Sequence, residues 1–256
     1  MTPSLVHLLD AQGLKLVSGW FSGRLLEGSI AREKERMERQ LATFKALGAP
    51  VMVYAETTGS VQTARQTPVS RRPRLAADAF KEYGARLTAL AEYMTERGVA
   101  MTYHHHMGTI VESDAEIDLL MAHTGAAVGL LVDTGHITYA GGDYLAVTRR
   151  HGARLNHVHC KDVRPAVLAQ AREEDWSFLD AVVAGVFTAP GDGSVDFAAF
   201  ARLLQAVGGR TQTNGPNRLS STPEPVRGSR QPGEVGSAPR QVDRPLGFDS
   251  AVAELL

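Results

Sequence analysis

Eight of the nine histidines of this chain fall between His104 and His159, and most of them gather at three places. These are Tyr103-His104-His105-His106-Met107-Gly108, Val132-Asp133-Thr134-Gly135-His136 and Asn156-His157-Val158-His159-Cys160-Lys161-Asp162. Each run closes an apolar stretch that reads as a β-strand. Side chains alternate between the two faces of a strand. His104 therefore shares a face with His106, Leu131 with Asp133, and His157 with His159 and Lys161. If those faces line one parallel barrel, Asp133 and several imidazoles converge at its C-terminal strand ends, where such folds carry their chemistry. Imidazole and carboxylate together suit manganese, cobalt, zinc or iron. One histidine at a strand end is more often a hydrogen-bonded structural residue. Three successive strand ends with histidine, one of them also with aspartate, point to a metal site. Around them, Asp162 reads as a cap for the next helix, and Lys161 as a rim charge or a substrate contact. Cys160 lies on the face opposite His159 and reads as a packed core thiol. His123 and His151, near helix ends, read as surface residues.

The elements that must position these groups alternate in type. Strand candidates are Leu14–Gly19, Val51–Glu56, Val99–His106, Val128–His136 and Leu155–Asp162. Between them Ile30, Met37, Leu41 and Phe44 recur at helical spacing until Gly48, and Leu75, Phe80, Tyr83, Leu87, Leu90 and Met94 do so until Gly98. Ser113 and Glu116 form a capping-box pattern, and Asp196 can cap a helix carrying Phe197, Phe200, Leu203, Leu204 and Val207. Strands alternating with helices imply βαβ units and a parallel sheet, an α/β fold. Two further segments stand out. Leu16 to Gly23 sets two glycines around Trp20 and Phe21, either a rim loop over a polar ligand or a tight turn packing Trp20 into the core. Pro190-Gly191-Asp192-Gly193 reads as a turn.

Composition bounds the partners. The 256 residues are 43% hydrophobic and 21% charged, with a net charge of -1. That balance offers a polyanion nothing to hold, so neither nucleic acid nor membrane is expected. One cysteine excludes an internal disulfide and suits a reducing, cytoplasmic setting. No apolar run of membrane-spanning length and no secretory leader is read. After Gly209 the pattern changes. Thr211 to Pro245 holds four Gly, six Pro and four Ser in 35 residues, too few apolar groups to offset ordering entropy. Residues 1–209 are thus expected to form the α/β domain, and residues 210–256 a disordered or aberrant tail.

Ser18 to Gly23, Tyr103 to Thr109, Asp133 to His136, His157 to Asp162 and Pro190 to Gly193 together resemble the inosose dehydratases of inositol catabolism. These are xylose-isomerase-like members of the sugar isomerase/epimerase group of (β/α)8 barrels. The resemblance runs from about Pro3 to Gly208, and it implies a metal-dependent loss of water from a keto-inositol to give a cyclic dione. Carried over by position, it makes His104, Asp133 and His159 metal ligands for manganese or cobalt, with His104 where the wider group commonly has glutamate. It makes His136, His106 and Lys161 the catalytic groups, with acid and base undivided, and Trp20, Glu56 and His157 substrate contacts. The partner implied is a small polyol ketone, with homo-oligomerisation left open. It also implies that about five of eight strands are present, the first two and the last being outside the chain. An abrupt change after Gly209 would then reflect a shifted frame or misjoined end, or else a genuine tail. An isomerase or epimerase of the same barrel group and an inactive truncated fragment are the competing expectations.

Overall fold

A computed structural model describes residues 5–211. Five strands form one parallel sheet in the order β1 (Trp20–Gly23), β2 (Val51–Glu56), β3 (Ala100–His104), β4 (Val128–Asp133) and β5 (Leu155–His159). Among the described residues this is an α/β partial barrel. Helices α1 (Leu5–Ala11), α2 (Ile30–Leu47), α3 (Ala79–Glu96) and α4 (Asp114–His123) precede or join its first strands. Two short helices, α5 (Thr134–Ala140) and α6 (Tyr144–His151), link β4 to β5. Beyond β5 lie β6 (Asp162–Val163), α7 (Pro165–Glu173), α8 (Phe178–Val183), β7 (Phe187–Thr188) and α9 (Phe197–Thr211). β6 and β7 pair antiparallel as a separate ribbon.

Local chemistry sets most of these boundaries. The Ser29 side chain accepts the Arg32 N–H to start α2, and Gly48 ends it at φ 70°, a conformation that glycine adopts without strain. α2 and α3 bury the stripes Met37, Leu41, Phe44 and Phe80, Tyr83, Leu87, Leu90, Met94. The Ser113–Glu116 capping box starts α4 as the pattern requires, and Asp196 Oδ1 accepts the Ala199 N–H at the start of α9. β2 and β4 are buried along their whole length, the mark of strands covered on both faces. Their helix-side residues and those of β3, with Tyr54, Tyr103, Leu130 and Val132 among them, join the main core. The other face of β3, β4 and β5 carries His104, Asp133, His157 and His159. Met107, Tyr139, Val163, Leu168 and Phe178 form a second, smaller core near the β6–β7 ribbon.

The structure corrects several expectations. The first strand is Trp20–Gly23, not Leu14–Gly19. Leu14 and Val17 are 59% and 60% exposed, whereas Phe21 is buried and its ring stacks on Tyr54 at 5.9 Å. The flanking glycines admit rings. A Cβ on Gly19 would lie 2.6 Å from Phe44, and one on Gly23 would lie 2.1 Å from Tyr54. β3, β4 and β5 end at His104, Asp133 and His159, short of the ends their apolar runs suggest, because the chain turns as soon as its side chains enter the histidine cluster. Cys160 is exposed, not a core thiol, since the strand has already ended at His159 and its alternation no longer applies. Asp162 caps no helix; it is a buried strand residue whose partners are given below. The tail expected over residues 210–256 lies, beyond Thr211, outside the described residues. Among the described residues no helix is long and apolar enough to cross a membrane.

Candidate metal centre

Asp133 is the centre of the cluster and is fully buried. Its two oxygens have different tasks. Oδ1 accepts the N–H groups of Gly135 and His136, both at 3.0 Å, and so caps α5. Oδ2 faces Lys161 Nζ at 2.6 Å, His159 Nδ1 at 3.2 Å and His104 Nε2 at 3.5 Å. Burial would push the carboxyl up, but the Lys161 ammonium, with the contact from His159, holds it well below the usual carboxylate range. The ligand atoms of His104, Asp133 and His136 all lie within 4.8 Å of one another.

The imidazoles are oriented by the backbone. His104 Nδ1 donates to the carbonyl of His105, and His106 Nδ1 to that of Met107 at 2.8 Å. In the neutral form both rings thereby carry no proton on Nε2. His136 has the opposite tautomer, because its Nδ1 accepts the Met107 N–H at 3.3 Å and the ring proton sits on Nε2. His106 and His136 lie 3.9 Å apart between ring centroids. Burial drives His104 and His136 well below the usual imidazole range, and His105 and His157 down to about 4. They are neutral at pH 7.

His104 Nε2 and Asp133 Oδ2 therefore turn lone pairs toward each other across 3.5 Å. Two acceptors so placed are stable together when a cation lies near both. In this structure Lys161 supplies a positive charge to the same oxygen. The donor set, two or more imidazole nitrogens and a carboxylate oxygen around one point, fits a divalent transition ion.

The other expected residues divide. Trp20 is half-buried and stands edge-on to His104 and His106, at 5.6 and 5.7 Å. His157 lies 5.4 Å from the His159 ring and bonds Ser18 Oγ at 3.2 Å. Glu56 is buried, and its carboxylate accepts from the Leu25 N–H and from the Thr58 N–H and hydroxyl; among the described residues these bonds lead away from the histidines.

Some groups that shape the site were not picked out from the sequence. Phe178 and Phe187 wall His136 at 5.5 Å each. Thr134 Oγ1 donates to the Lys161 carbonyl at 2.7 Å and accepts its N–H at 3.1 Å, tying the exits of β4 and β5 together. Gly135 permits this approach, since a Cβ there would lie 2.6 Å from Lys161 Cβ. An Asp followed by Thr-Gly-His at the end of an apolar run carries an N-cap signal that could have revealed α5. The phenylalanines belong to later elements and leave no local trace.

The family model described as "Xylose isomerase-like TIM barrel" matches residues 3–211. The chain belongs to this family. Within it, the chain is 49% identical over 207 residues to the rhizopine catabolism protein MocC of Rhizobium meliloti, a match covering 81% of this chain and 64% of that protein. It is 39% identical over 209 residues to the inosose dehydratase of Geobacillus thermodenitrificans (strain NG80-2), covering 81% and 70%. With the inosose dehydratase of Halalkalibacterium halodurans the identity is 37% over 190 residues, covering 74% and 63%. The chain thus spans 63 to 70% of the length of these curated relatives. A solved structure of the IOLI protein "with a binding zinc atom" superposes with a TM-score of 0.54 at 16% identity, covering 81% of this chain and 70% of that one. An AP endonuclease, family 2, from Brucella melitensis reaches 0.57 at 12%, covering 80% and 72%. At such identities the likeness is one of fold.

Proposed function

We propose that the chain holds a divalent ion, manganese or cobalt, through His104, Asp133 and His159, and that its reaction is the loss of water from a keto-inositol. The observation that carries the reading is the facing pair His104 Nε2 and Asp133 Oδ2, two lone pairs 3.5 Å apart in a buried site. The inosose dehydratase relatives supply the substrate class. When bound, the ion polarises a ketone and a neighbouring hydroxyl oxygen and so stabilises negative charge on the substrate.

The chain's own groups divide the proton transfers. His106, with Nδ1 donating to the Met107 carbonyl, has an unprotonated Nε2 and takes the proton α to the ketone. His136, with Nδ1 held by the Met107 amide, carries its proton on Nε2 and delivers it to the departing β-hydroxyl, and the proton taken by His106 passes to the adjacent His136 ring, which restores both neutral imidazoles. One C–H and one C–O bond break, a C=C bond forms, and water leaves. Lys161 donates to the enolate oxygen. Trp20 orients the substrate against the histidines, and Phe178 and Phe187 help keep water from the pair, which strengthens each electrostatic contact. His157 completes the substrate contacts proposed, and Glu56 serves them only indirectly, by holding the Leu25 and Thr58 backbone.

The test is to strip the purified chain with chelator, reload it with manganese or cobalt, and follow a keto-inositol by mass spectrometry. Metal-dependent loss of one water is expected. A product isomeric with the substrate would replace the dehydratase reading by an isomerase, and absence of bound metal would remove both.

A further inference from the structure

His105 is fully buried and takes no part in the proton transfers above. Its neighbours His104 and His106 face the site; its own ring turns to the backbone of β4. The last register pair of β3 with β4 is His104 with Leu131. Asp133 lies beyond that pair, where β3 has ended and offers no further strand carbonyl. Its N–H donates instead to His105 Nε2 at 3.2 Å. The ring adds one rung to the ladder by side chain rather than by backbone.

This bond sets the tautomer of the ring. A neutral imidazole that accepts on Nε2 carries its proton on Nδ1, and His105 Nδ1 is buried with no hydrogen-bond partner. A buried unpaired donor lowers stability and calls for a reason. An apolar side chain of similar size would remove the stranded Nδ1, but would also leave the Asp133 amide unpaired. Residue 105 meanwhile serves the site twice: its carbonyl accepts from His104 Nδ1, and its ring holds Asp133.

We infer that His105 is a positioning residue, whose imidazole fixes the end of β4 so that Asp133 Oδ2 meets His104, His159 and Lys161 while Oδ1 caps α5. The inference rests on the metal reading for its effect on an ion, but not for the bond itself. Glutamine places an oxygen where Nε2 lies, whereas methionine fills similar volume with only a weak thioether acceptor. Cobalt(II) is the probe, titrated into the full chain and followed by its visible absorption. His105→Met should weaken cobalt binding by about 10–100-fold, the range typical of outer-shell partners, and His105→Gln should recover most of that loss. Their melting temperatures should not sort the two variants in the same way. Equal cobalt affinity in His105→Met and the unsubstituted chain would overturn the inference. So would equal weakening in both variants. A second measurement stands apart from metal and from the folding of variants. Ring 15N shifts of the unsubstituted chain should place the His105 proton on Nδ1, and a proton on Nε2 would refute the bond. If the unsubstituted chain binds no cobalt, the metal reading fails, and the ring tautomer still decides whether His105 holds Asp133.

Discussion

Asp133 and Asp162 are both fully buried, both lie close to the end of a strand of the main sheet, and both are held below the usual carboxylate range. They differ in what their oxygens are free to do. Asp162 bonds four backbone N–H groups: Val163 and Val195 on Oδ1, Gly191 and Gly193 on Oδ2, all at 2.8 to 2.9 Å. It clamps the Pro190–Gly193 loop to the end of the sheet, and a Cβ on Gly193 would lie 2.4 Å from its Oδ1. Asp133 gives only Oδ1 to the backbone and keeps Oδ2 for side chains. Burial and a lowered pKa are common to a structural carboxylate and a ligand; an oxygen not committed to backbone amides is what separates them.

The contrast can be broken most directly by exchanging each aspartate for asparagine. Asp133→Asn should weaken cobalt binding by at least about 100-fold, beyond the effect of an outer-shell partner. It should cost less stability than Asp162→Asn, since asparagine still caps α5 and only the Lys161 ion pair is lost. Asp162→Asn should do the reverse. Whichever oxygen becomes an NH2 group, two backbone donors lose their acceptor, and denaturant unfolding should show a loss of about 2–6 kcal/mol. Cobalt affinity should persist below the lowered melting point. A variant of Asp162 that keeps its stability and loses cobalt would reverse the assignment.

Histidine substitutions sharpen which side chains share Oδ2 with the ion. His159→Gln should cost roughly 10-fold or more in metal affinity, whereas His136→Gln should keep its metal and lose turnover. Metal analysis beside the activity assay checks both. Loss of metal from His136→Gln would place that ring in the coordination sphere, as its distance to His104 and Asp133 also allows.

Acid should act on the histidine side of the comparison before it reaches either aspartate. In chelator, His105 and His157 hold folded pKa values of about 4, below the ordinary 6.5. Between those values the unfolded chain binds more protons, so stability falls as pH drops from about 6.5 toward 4. The fully buried His105 contributes up to about 1.4 kcal/mol per pH unit, and the half-buried His157 less. Asp133 and Asp162 have lowered values, so their contributions are lost only at more acidic pH. Unfolding midpoints that stay level between about pH 7 and pH 5 would contradict this. The smallest effect is expected at Cys160, which sits in sequence between the two aspartates. Cys160→Ser should shift stability by less than about 0.5 kcal/mol, and a thiol reagent should reach the native side chain, which is exposed.

The order of residues along the chain was enough to specify the alternation of strands and helices, the caps at Ser113, Asp196 and Gly48, and the whole of β2. It was also enough to set His104, Asp133 and His159 on one side of the sheet, where their side chains meet. Each of these follows from rules acting over a few residues: period, turn conformation and alternation along a strand. Where alternation stops, and what meets across long separations, came from packing alone. Packing moved the first strand to Trp20–Gly23, because Phe44 and Tyr54 sit against the flanking glycines. It exposed Cys160 and drew Asp162 into the loop at Gly191 to Val195. It set Phe178 and Phe187 beside His136, and turned His105 to the Asp133 amide. Hydrogen bonds and ring contacts between residues so far apart in the chain depend on the register of whole elements, which no local pattern records.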